Sequence, residues 1–197
     1  MSAEIGNQRF VDRFDGQTLD ERWTTALQTG TVTFQMADAI DGGFEILTSL
    51  IINHNGFIFF NDIRQYSPTG SVFIAIVTIS NVLDSFNLVG LKDVIPGTND
   101  AIFFRNDSGT GVNTEFLTFN NTLGTAIDTG LVSDTNPHRY KGELTSTTAK
   151  GFVDGLLRAT STTTLPTVKL QPFFRHGNRS SGVQHRGRIS YFEVLNK

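Results

Sequence analysis

The chain has 197 residues, no cysteine and a formal net charge of −3. That length can bury a full core without cross-links, and the missing cysteine excludes disulfides, thiolate metal sites and a cysteine nucleophile. Charged residues make up only 18%, and no apolar run approaches the roughly 18 residues of a membrane span, so a disordered polyelectrolyte and a helical membrane protein are both excluded.

Short runs rich in Val, Ile, Phe and Thr recur along the chain, separated by Gly, Asn, Asp and Ser, which is the pattern of an all-β protein. The first strand is expected over Arg9–Phe14. Thr18-Leu19-Asp20-Glu21 has the spacing of a capping box and could open one helical turn before Trp23. Strands then follow at Trp23–Gln28, Thr31–Met36 and Gly43–Leu50, with Asp41-Gly42-Gly43 as a turn, and at Gly56–Phe60 after an Asn55-Gly56 turn. The middle of the chain gives Val72–Ile79, Phe86–Leu91, Ala101–Arg105, Thr114–Asn120 and Thr125–Asp128. Arg139–Thr145 leads to a hairpin, Ala149–Val153 and Leu156–Thr160, whose Asp154-Gly155 link is the strongest two-residue turn signal in the sequence. Val168–Phe174 and Arg188–Leu195 complete the set. No linker or repeat divides the chain, so residues 1–197 are expected to form one domain.

Three of these strands are apolar on both faces: Val72–Val77, Phe57–Phe60 and Ala101–Phe104. A two-layer sandwich usually wets one face of each sheet, so such strands need a second cover, either loops of the same chain or a neighbouring subunit. The charge is unevenly spread as well. Residues 1–137 hold 6 Lys/Arg and 16 Asp/Glu, and residues 138–197 hold 10 and 3. Interleaved strands would average this field, whereas exposed segments would set acid against base between copies. The sharpest polar segment runs from Phe173 to Arg188. There Arg175, His176, Arg179, His185, Arg186 and Arg188 stand without an acid, in what reads as a loop between the last two strands. These six are the candidate partner contacts, suited to phosphate, an acidic glycan or an acidic protein face. Nucleic acid is disfavoured, because aromatic residues only flank the segment.

There is no G-x-S-x-G elbow, phosphate loop or dinucleotide fingerprint, and none of His54, His138, His176 and His185 has zinc-ligand spacing. Asp12 with Asp15, or Asp38 with Asp41, could offer calcium oxygens from loops, but no EF-hand pattern surrounds them. No catalytic residue, cofactor or metal is therefore assigned.

Three segments resemble the concanavalin A-like jelly rolls. Val11-Asp12-Arg13-Phe14-Asp15-Gly16-Gln17-Thr18-Leu19-Asp20-Glu21-Arg22-Trp23 is similar to their opening, Gly151–Thr160 with Leu165-Pro166 to their late hairpin, and Arg188–Val194 to their closing strand. The resemblance implies a single jelly-roll β-sandwich, with Trp23 as a core anchor and the closing strand beside the first. In the glucanases of that superfamily it implies E-x-D-x-x-E on one strand. The six Glu here (Glu4, Glu21, Glu45, Glu115, Glu143 and Glu193) never take that spacing, and no single strand pairs carboxylates on one face. Small stand-alone modules similar to this chain occur in tailed phages. The expectation is thus a non-catalytic virion structural protein, a capsid decoration, cement or appendage protein, made in the host cytoplasm without a signal peptide. Its partners would be other copies and a capsid or other virion protein, with no membrane. The alternatives are a lectin-like carbohydrate-binding module, which the 3 Tyr and 1 Trp disfavour, and a glycoside hydrolase or lyase.

Overall fold

The computed structural model describes residues 9–16, 18–37, 42–60, 65–93, 99–179 and 182–197. They form fifteen strands: β1 (Arg9–Asp12), β2 (Thr24–Thr29), β3 (Val32–Met36), β4 (Phe44–Thr48), β5 (Asn55–Phe59), β6 (Ser71–Ile79), β7 (Ser85–Lys92), β8 (Ala101–Asp107), β9 (Asn113–Asn120), β10 (Leu123–Val132), β11 (His138–Leu144), β12 (Ala149–Val153), β13 (Leu156–Ser161), β14 (Gln171–Asn178) and β15 (Arg186–Asn196). Among the described residues there is no helix, and so none long and apolar enough to cross a membrane.

Two antiparallel sheets stack as a sandwich. Sheet A runs β13-β12-β11-β6-β15-β4-β3, and sheet B runs β10-β9-β8-β7-β14-β5-β2. The closing strand β15 pairs with β6 along one edge. Its other edge is shared: Arg186–Ile189 pair with β4, and Phe192–Leu195 pair with β1, where Arg9 faces Leu195. The opening and closing segments therefore meet, as the jelly-roll resemblance implies.

Between the sheets lies an aromatic core. Sheet A contributes Phe73, Ala75, Phe192 and Val194, and sheet B contributes Ile58, Phe104, Phe116 and Phe174, all buried. Trp23 is buried among them, edge-on to Phe10, Phe60 and Phe192 with ring centroids 5.8, 4.8 and 5.6 Å away. A buried indole needs an acceptor for its N–H. Asp12 provides it: Trp23 Nε1 donates to Oδ2 at 2.8 Å, while Oδ1 accepts the Phe14 backbone N–H at 2.7 Å. The carboxylate thus fixes β1, the turn after it and the anchor ring together.

The structure corrects several local expectations. Thr18–Glu21 opens no helix. Asp20 instead holds a turn, accepting the backbone N–H and the guanidinium of Arg22 and returning its carbonyl to Trp23 N. Asn55-Gly56 is no turn but the start of β5, and the positive φ falls on Asn53 at 64°. Asp154-Gly155 is the expected hairpin turn, with φ of 51° and 83°. Asp38 and Asp41 lie outside the described residues. Of the doubly apolar strands, β6 turns Phe73, Ala75 and Val77 into the core and leaves Ile74 and Ile76 half-buried outside. There Lys141 and Glu193 flank Ile74 in register, and Arg139 and Tyr191 flank Ile76. Long amphipathic neighbours of this kind can shelter apolar surface without a second subunit.

Replacing Asp12 with Ala should strand the Trp23 N–H in the core and cost about 1–3 kcal/mol, the desolvation of one unpaired buried donor. Urea unfolding followed by Trp23 fluorescence would measure it, and Asp12→Asn, which keeps an acceptor oxygen, should lose less.

Candidate functional site

Alternation along sheet B decides what its outer face presents. On β5 the side chains of Ile58 and Phe60 enter the core, so Phe57 and Phe59 point outward; β8 likewise sends out Ala101, Phe103, Arg105 and Asp107. Register then aligns them in rows across the sheet. One row reads Phe59, Phe173, Gly90, Phe103, Leu117, Ala126. The next reads Phe57, Arg175, Leu88, Arg105, Glu115, Asp128. The first row is an apolar floor and the second is charged.

The floor is covered within one chain, which removes the need for a neighbouring subunit there. Phe57, Phe103, Leu117 and Phe173 are each no more than 5% exposed. Gly90 makes their packing possible: with no side chain between them, Phe103 and Phe173 meet edge-to-face at 5.7 Å. A Cβ on Gly90 would stand 2.3 Å from the Ile102 carbonyl oxygen. Phe119 stacks on Phe103, also at 5.7 Å with 9° between the planes. Above the floor is an open cavity of about 350 Å³, walled by Gln28, Thr29, Asn53 and Asn55 on one side and by Arg105 and Asp107 on the other.

Charges in this groove are largely pinned. Arg179 binds Asp107 through Nε and a terminal nitrogen at 3.0 and 2.5 Å. Arg105 donates to Glu115 at 2.7 Å, and Thr110 Oγ1 reaches the same oxygen at 3.2 Å. Asp128 faces Glu115 across β9 and β10. It accepts Asn113 Nδ2 at 2.8 Å and Gly130 N at 2.7 Å, and these bonds hold its carboxyl below the ordinary carboxylate range. Directly opposite side chains in an antiparallel pair have Cβ atoms about 4.5–5.5 Å apart. Lys92 lies over Phe173 at 5.1 Å, and burial followed by the Arg175 charge pulls its ammonium down to about 7.

The six candidate contact residues do not form one loop. β14 runs on to Asn178 and β15 begins at Arg186, so most of the segment is strand, where alternation separates the side chains. Arg175 and Arg179 line the groove. His176 and His185 are buried between the sheets, out of reach of any partner. Arg186 and Arg188 belong to sheet A, where Arg186 pairs with Glu45 at 3.4 Å and Arg188 hydrogen-bonds the Gly42 carbonyl. The Arg179–Asp107 and Arg186–Glu45 pairs join the basic end of the chain to its acidic part, so the charge asymmetry is interleaved.

Among the described residues no three His, Asp or Glu groups gather as a metal site. His138 instead bridges two acids, Asp154 at 2.7 Å and Asp134 at 3.0 Å. Burial opposes its charge, but the two carboxylates outweigh that and raise it above its ordinary value.

No protein-family model and no curated protein matches the chain. Solved structures do. It is similar, at a TM-score of 0.69 and 16% identity, to a β-glucanase of Bacillus licheniformis, covering 96% of this chain and 98% of that one. A Bacteroides ovatus family 16 glycoside hydrolase, held with a mixed-linkage glucan product, matches at 0.71 and 12%, covering 94% and 99%. A third match, at 0.72 and 13% and covering 95% and 98%, comes from work on endo-acting O-glycanases of human gut bacteria that initiate mucin breakdown. The fold is that of the concanavalin A-like jelly rolls.

Two expectations change with these findings. The similar structures give no support to a virion role. The expectation of a non-catalytic protein is overturned, because the structures matched over nearly the whole chain are glycoside hydrolases. Reading within single strands also hid a carboxylate pair: Glu115 and Asp128 come from neighbouring strands and meet only through register. The only available signal was that each sits at an outward position of its own strand.

The buried histidines carry a pH dependence. His176 Nδ1 lies 2.8 Å from Asn87 Oδ1, and complete burial drives its pKa down to about 3. Burial lowers His185 too. Both bind protons more readily when unfolded, so their contribution is fully present above their ordinary value of 6.5 and lost as pH falls toward 3. Unfolding free energies from urea titrations should therefore drop between pH 7 and pH 5, with His176 contributing at most about 1.4 kcal/mol per pH unit. His176→Gln should flatten that slope.

Proposed function

We propose that the protein is carbohydrate-active and of the glycoside hydrolase type, taking an extended polysaccharide along the groove of sheet B. The observation that carries this reading is the groove itself: an apolar aromatic floor under polar walls, with two carboxylates facing each other across β9 and β10. The C–H faces of sugar rings suit Phe119, which is half-buried and lines the cavity, and sugar hydroxyls suit the amides of Gln28, Asn53 and Asn55. The structures it resembles support the same chemistry.

Cleavage is assigned to Glu115 and Asp128. The two stand directly opposite in register, with Cβ atoms about 4.5–5.5 Å apart, and a retaining mechanism asks for carboxyl groups roughly 5–5.5 Å apart. Asp128, kept ionised by Asn113 and Gly130, is the nucleophile. Glu115 is the acid and then the base, carrying the proton on Oε1, while Arg105 and Thr110 hold its Oε2. In the first step the Glu115 proton passes to the glycosidic oxygen as that bond breaks, and Asp128 bonds the anomeric carbon. In the second step water attacks that carbon, its proton returns to Glu115, and Asp128 leaves. The residues differ from the one-strand E-x-D-x-x-E pattern, since β8 turns Ala101, Phe103 and Arg105 to the groove.

Release of reducing ends from a panel of soluble polysaccharides tests the reading. Glu115→Gln and Asp128→Asn should each lower the rate at least about 100-fold while binding in affinity gels persists. A protein that retains no polysaccharide in the gel and releases no ends from any would overturn it.

A further inference from the structure

Of the three arginines that line the groove, one has no ion pair among the described residues. Arg175 sits on β14 in the charged row, with its guanidinium carbon 4.9 Å from the Phe57 ring centroid and 4.7 Å from that of Phe86. Its Nε donates to Asn55 Oδ1 at 3.1 Å. Among the described residues it has no ion pair, whereas neighbouring Arg105 and Arg179 are matched by Glu115 and Asp107. Burial, and after it the Arg179 charge, pull the Arg175 guanidinium down to about 10. A guanidinium kept this dry offers a fork of N–H donors with a geometry that fits a planar or tetrahedral oxyanion. The side chain also lines the cavity, so a ligand lying on the floor passes its terminal nitrogens.

We infer that the groove selects an anionic polysaccharide, with Arg175 receiving a sugar carboxylate or sulfate ester. This rests on the groove being the glycan site proposed above. A neutral glucan would fill the same floor and leave Arg175 facing water or a sugar hydroxyl. A charged substituent would supply the missing counter-ion at a position the fold keeps partly desolvated, where the interaction is screened less than at an open surface.

The unmodified protein can test this without any variant. Affinity electrophoresis at 0.1 M salt would compare polygalacturonate with its fully methyl-esterified form, carrageenan with its chemically desulfated form, and mixed-linkage β-glucan. The expected result is at least tenfold tighter binding to one charged polymer than to its neutralised twin, weakening as salt rises. The uronate and sulfate arms show which oxyanion is taken. Arg175→Gln should erase that preference, and Arg175→Lys should restore part of it, with thermal unfolding confirming that both variants fold. Equal binding of charged and neutralised twins overturns the anionic preference and leaves the glycan groove standing. Retention of no polymer overturns both.

Discussion

Strand alternation on sheet B is the constraint from which the rest of this molecule follows. Where β5 and β8 carry apolar residues at odd and even positions alike, both faces of the sheet must be sheltered. The inner face finds sheet A. The outer face shelters itself, ring against ring, over a strand that carries glycine where a side chain would intrude. The result is a packed floor beside a charged row, in which Arg175 lies over the rings of Phe57 and Phe86. Binding surface and core are here two faces of the same strands, so a change in one is felt in the other.

Much of this architecture was legible from the residues. All fifteen strands were readable from apolar runs and turn chemistry, and Asp154-Gly155 and the Asp12–Trp23 segment mark the two ends of the jelly roll by residues whose packing can be argued in advance. The failures have a common cause. Arg175 and His176 read as adjacent members of one basic loop, yet in a strand adjacent residues face opposite ways, one into the groove and the other into the core. Asn55-Gly56 has turn composition, but the preceding Asn53 takes the left-handed conformation and releases the pair into β5. The carboxylates escaped notice because their proximity belongs to the pairing of β9 with β10, a relation between strands that no spacing along one strand encodes.

Electrostatics shows the same interplay of sequence and register. A chain with acid concentrated early and base concentrated late looks polarised when written out. Folding places β14 beside β7 and β5, and β15 beside β4 and β6, so late arginines land among early acids. Arg179 with Asp107 and Arg186 with Glu45 are products of that weave. Pairs with one exposed partner add little to stability individually. Their effect is to neutralise most of the groove and to leave Arg175 distinct from its neighbours.

The position of β15 bears on how the chain reaches this state. The last strand in sequence lies inside sheet A, with β6 on one edge and β4 and β1 sharing the other. During synthesis the early strands β1, β4 and β6 emerge with their pairing edges open, and they remain so until residues 186–196 leave the ribosome. Contacts of such long sequence separation close slowly, and open edges invite pairing with other chains. Sheet A is thus completed only when residues 186–196 insert between β6 and the pair β4 and β1.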